Sequence, residues 1–212
     1  MVIMARYSAQ HKRETRARIL DAAEGLIKDR GADAATVEAV MRAAGLTVGG
    51  FYAHFASKEA LARETLIVAV EKSFARLTAG LDELEPRAFA AALIRRYLAQ
   101  LDDPGLAQAC PMTVALPEIA RSDDAFRSEF TARTAALVAQ IEHRLPAVAG
   151  MAPRDVALAT LSALAGGVGF ARAAGSVRAR KRIAAATAAA LARLLDLDDG
   201  VAPRAVRSRR AT

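Results

Sequence analysis

The sequence predicts an all-α protein, and three observations carry that reading. No segment alternates apolar and polar residues with period two, and no β-branched, aromatic run long enough for a strand occurs. Apolar residues instead recur at three- and four-residue steps through most of the 212 residues. Serine, threonine, aspartate and proline stand where these stretches begin, and glycine and proline where they end.

Taken in order, a first helix is expected over Lys12–Arg30, with Ile19, Ala22, Ala23, Leu26 and Ile27 on its buried face. A second is expected over Thr36–Ala44, with Thr36 as N-cap and Val37, Val40 and Met41 as its apolar stripe. Gly45 supplies the left-handed residue that ends it, and Leu46 plugs the turn. Thr47 is placed to cap a short helix over Val48–His54, and Ser57 to cap a long one over Lys58–Thr78. Pro86 opens a helix to Leu101, after which Asp102-Asp103-Pro104-Gly105 breaks the chain. Short helices follow on either side of a break near Cys110-Pro111, the second ending at Ala120. Ser122 and Asp123 start a helix to Leu145, Pro153 one to Ala174, and Ser176 caps the last, Val177–Leu195. The expected organisation is a three-helix head over 10–56, joined by the long helix to a helical bundle over 57–197, then a disordered basic tail over 198–212.

Composition narrows the function classes. With 53% hydrophobic residues the chain can bury a substantial core. A single cysteine forms no internal disulfide, and the N-terminus lacks a signal-length apolar run, so a cytoplasmic protein is expected. The run Ala157–Ala171 falls short of a bilayer span. His11, His54 and His143 are too scattered for a metal site, and no nucleophile elbow or phosphate-cradling glycine loop occurs. No enzyme, metal or cofactor is expected. The net charge of +7 permits a polyanionic partner, and the entrance to the first helix is positive: five basic residues between Arg6 and Arg18 face one acid, Glu14.

The segment Thr36–Lys58 has the spacing of a helix-turn-helix, whose short second helix is suited to the major groove of DNA. Base reading falls to Thr47, Val48, Gly49 and Gly50 at its leading end; the glycines allow close approach but carry no side-chain code. Arg42 can read guanine or contact phosphate, and Thr36 can serve as cap and contact together. Residues 15–64, with Ile19, Ala22, Ala23, Gly31, Thr36, Ala44, Gly45, Tyr52, His54, Phe55 and Lys58 in order, resemble the DNA-binding domain of the TetR family of bacterial transcriptional regulators. That resemblance implies that Tyr52, His54 and Lys58 grip phosphates. Phenol, imidazole and ammonium all donate to phosphate oxygens.

It also implies a homodimer built through the last two helices, a double-stranded operator, and a small-molecule effector held in the C-terminal domain. Two stripes could form the dimer seam: Ala157, Leu161, Leu164, Ala165 and Val168 in one helix, Ile183, Thr187, Ala190, Leu191 and Leu194 in the other. Periodicity alone equally allows both to pack on their own core. Candidate effector-lining residues are Phe89, Leu93, Tyr97, Met112, Phe126, Phe130 and Phe170, which suggest an apolar or electrophilic ligand. Cys110, before a proline-led helix start, resembles the cysteine of an electrophile-sensing branch, although Ala109 replaces the usual glycine; an inert core thiol is the other reading. The expected function is a ligand-responsive regulator, most simply a repressor. A purely architectural helical protein is the alternative, and it leaves Thr36–Lys58 unexplained.

Overall fold

The computed structural model describes residues 2–30, 35–101 and 111–197. Cys110, the expected break over 102–105 and the basic tail lie outside them. The described residues form eight α-helices, one 3-10 helix and no strand. They are α1 Val2–Arg30, α2 Val37–Ala43, the 3-10 helix Val48–Ala53, α3 Lys58–Thr78, α4 Pro86–Ala99, α5 Pro111–Ala120, α6 Asp124–Ile141, α7 Pro153–Ala173 and α8 Val177–Leu194.

Helix starts follow the local chemistry. The side chains of Thr36, Ser57, Asp123 and Ser176 accept from the backbone N–H groups of Ala39, Ala60, Phe126 and Ala179. Pro86 and Pro153 occupy first-turn positions. Two expectations need correction. α1 begins at Val2 and not at Lys12, because no glycine or proline precedes Gly25 to stop the helix propagating backward from its packed turns. The short helix after Thr47 is 3-10, not α, and Thr47 makes no side-chain cap bond. Gly50 N–H donates to the Thr47 carbonyl at 3.1 Å and His54 N–H to that of Phe51 at 2.9 Å. A six-residue piece with two adjacent glycines gains too little from α-helical bonding to resist this tighter winding.

The chain divides into two compact units, Met1–Lys72 and Ser73–Thr212, with the boundary inside α3. In the first, Ile19, Leu20 and Ala23 of α1 pack with Val40, Met41, Phe51, Phe55 and Leu61. In the second, Phe89, Leu93, Ile94, Ile141, Leu164, Val168 and Leu191 form the centre of a larger core. Among the described residues α7 is the one helix long and apolar enough to cross a membrane. Its Val156, Ala157, Thr160, Leu164, Val168 and Ala171 are buried in the protein.

Candidate nucleic-acid interface

The turn between α2 and the 3-10 helix is built residue by residue. Gly45 sits at φ +67°, and its N–H donates to the Arg42 carbonyl at 3.0 Å while Leu46 N–H donates to that of Met41 at 2.8 Å. This pair of bonds is a Schellman end, which needs a residue at ease in the left-handed region. Leu46 packs against the head core. The Arg18 guanidinium reaches from α1 to the Ala44 carbonyl at 2.6 Å, satisfying another carbonyl at the same helix end.

Alternation within the 3-10 helix then sorts the aromatics. Phe51 and Phe55 are buried and stack at 5.7 Å, whereas Tyr52, edge-on to Phe51 at 5.2 Å, is 73% exposed. Val48 is 44% exposed, and Thr36, Arg42, Thr47, Gly49 and Lys58 all lie at the surface. Gly50 is half-buried, its missing side chain facing the Met41 methyl at 3.7 Å. An aromatic left in solvent beside two buried ones is unexplained by core packing. The described geometry therefore leaves a face of hydroxyls, one apolar side chain and two cations, with no acid among these residues.

His54 closes the 3-10 helix and is half-buried, with Nδ1 buried and without a hydrogen-bond partner among the described residues. Burial, then the cations of Lys12, Arg16 and His11, holds its pKa below the ordinary 6.5. Sequence reasoning missed Arg16. Its guanidinium forks onto Glu64 of α3, with Nε to Oε1 at 2.9 Å, donates to the His54 carbonyl, and lies 4.2 Å over the Phe55 ring. One side chain thus ties α1 to the end of the 3-10 helix and to α3. A second tie joins Lys72 to Asp21 and Glu24. Burial alone would lower the Lys72 pKa, but the bonds its ammonium donates to the two carboxylates raise it. Partners 48 residues apart leave no local signal; the only hint was a basic run at the edge of an apolar stripe.

The C-terminal candidates separate in the fold. Phe89, Leu93, Tyr97 and Phe126 are buried, Met112 and Phe130 partly so. Phe170 is not interior: it is 73% exposed, lying off the stripe of α7 that buries Val168 and Ala171. Gln100, one turn after Tyr97, is only 8% exposed, yet its Nε2 has no partner among the described residues. The stripe expected to face a second chain is largely consumed within this one. Ala157, Leu164, Ala165, Val168 and Leu191 are buried, Leu161, Ile183 and Leu194 pack on the same core, and Thr187 bonds back to the Ile183 carbonyl. Of the ten, Ala190 alone is exposed. The apolar surface left outside on these two helices includes Leu158, Phe170 and Ala173 on α7 with Val177, Ala186, Ala189 and Ala190 on α8. No group of side chains able to hold a metal occurs among the described residues.

These features define an all-α fold whose N-terminal head carries a helix-turn-helix. Residues 19–65 match the model for bacterial regulatory proteins of the tetR family. The full fold agrees. It is similar to NemR of E. coli in its reduced form, at 20% identity over 86% of this chain and 98% of that one, TM-score 0.68. It is similar to a TetR transcriptional regulator from Chloroflexus aurantiacus, at 23% identity over 88% and 98%, TM-score 0.61. It is also similar to RolR in complex with resorcinol, at 22% identity over 93% and 97%, TM-score 0.54. A comparison with curated proteins returned no match.

Proposed function

We propose that the chain is a homodimeric, effector-responsive repressor that binds a palindromic operator. The observation that carries the DNA contact is the outward face formed by Thr36, Val48, Tyr52 and Lys58 over buried Phe51 and Phe55. Tyr52, His54 and Lys58 grip phosphates, while Thr47, Val48, Gly49 and Gly50 approach the bases and Arg42 lies alongside. The second copy docks on the outer face of α7 and α8, through Leu158, Phe170 and the exposed alanines of α8. Two recognition helices about 34–36 Å apart then read successive major grooves. The effector is a small, mainly apolar or electrophilic molecule beside Tyr97, with an acceptor for Gln100 Nε2, which has no partner among the described residues. The resorcinol held by RolR, a protein of the same fold, is a ligand of that kind. Its binding shifts α3 and changes the spacing of the two heads, so that one of them loses its groove. The protein works in the cytoplasm.

Gel shifts on the DNA upstream of the protein's own gene test the contact face. Tyr52→Phe and Lys58→Ala should each weaken binding several-fold at fixed salt, with unchanged helical content. Wild-type affinity in both variants would remove these residues from the interface. For the effector, electrophile treatment should release DNA from wild type and not from Cys110→Ser if the thiol is the sensor. Equal release from both excludes Cys110.

A further inference from the structure

We propose that α1 adds a contact to the DNA backbone through Lys12, beside the end of the recognition helix. The proposal rests on the DNA-binding reading above and extends its surface beyond the helix-turn-helix. Two basic residues of α1 are engaged with the motif: Arg18, itself exposed, on the Ala44 carbonyl, and half-buried Arg16 on the His54 carbonyl, Glu64 and the Phe55 ring. These ties fix α1 against the ends of both helices of the motif. Lys12 lies four residues before Arg16 and so shares its face of the helix, about 5–6 Å away between Cβ atoms. The Arg16–His54 bond therefore brings Lys12 beside the turn that carries Tyr52 and His54. The same neighbourhood is seen electrostatically, because the Lys12 and His11 cations act on the His54 imidazole.

Lys12 is exposed and makes no ion pair among the described residues. The nearby acids are already used: Glu64 is committed to Arg16, and Glu14 accepts from Gln10 at 2.9 Å. An uncompensated ammonium continuous with a phosphate-binding face suits a phosphodiester, and its single flexible charge carries no base preference. A merely solvated helix face would make the same fold without touching DNA.

Salt-dependent fluorescence anisotropy separates the two, using full-length protein with a duplex from its own upstream region and a scrambled duplex of equal length. Lys12→Gln should lower affinity several-fold on both duplexes and reduce the slope of log affinity against log salt by about 1 per bound protomer. Lys12→Arg should restore both, and circular dichroism and Tm should match wild type. If affinity and slope are those of wild type while Lys58→Ala still weakens binding, the Lys12 contact is wrong and the helix-turn-helix reading stands. A loss confined to the upstream duplex with unchanged slope also overturns it, since a backbone contact does not discriminate sequence. Wild-type protein binding neither duplex would overturn the DNA-binding reading itself.

Discussion

At the scale of single residues, His54 joins the head's stability to its proposed work. Its pKa is held below 6.5 by burial and by the cations of Lys12, Arg16 and His11, so the folded head favours the neutral imidazole. The unfolded chain then binds that proton more readily. Stability from this group is fully present above pH 6.5 and is lost as pH falls from there through the lowered folded value. Under the proposed contact DNA reverses the balance, because a phosphate beside His54 favours the imidazolium and binding then takes up a proton. NMR titration, with His54→Gln for assignment, should place the free His54 midpoint below 6.5 and move it upward on adding duplex. A midpoint unmoved by DNA would mean that the imidazole faces no phosphate. Tyr52 became a candidate through the family resemblance of the segment around it, not through its own spacing. Arg16 was not legible, since its meaning lies in Glu64 and the His54 carbonyl, which only the fold brings to it.

At the scale of elements, what was legible is what is local. Caps at Thr36, Ser57, Asp123 and Ser176 and the proline starts of α4 and α7 act within one turn, and each is where the residues imply. The periodicity of α7 showed an apolar stripe but not what covers it, because the same spacing serves a neighbouring helix or a second chain. Here α8 covers it. A side chain on Gly167 would collide with Thr187, so these helices meet closely at that point. Gly167→Ala should destabilise the C-terminal unit by about 1–3 kcal/mol through overpacking. Gly45→Ala should cost about 1–2 kcal/mol in the head, since Gly45 holds a left-handed φ of +67°. Urea unfolding checks both, and an unchanged midpoint in either variant would contradict the corresponding packing or turn argument.

At the scale of the whole molecule, the outward faces are those that core formation leaves over. In the C-terminal unit that surface is the outer side of α7 and α8, where Phe170 and Leu158 stand in solvent at 73% and 42% exposure. Phe170→Asp should convert a dimer to a monomer in analytical ultracentrifugation and lower operator affinity with it; a variant that stays dimeric would move the seam elsewhere. The central claim is that Val48–Lys58 lies against duplex DNA in two symmetric copies. Hydroxyl-radical footprinting of the upstream region measures this most directly. Two protected patches about one helical turn apart, both lost in the Tyr52→Phe, Lys58→Ala double variant, are predicted. Protection that survives in that variant, or a single unpaired patch, would contradict the account.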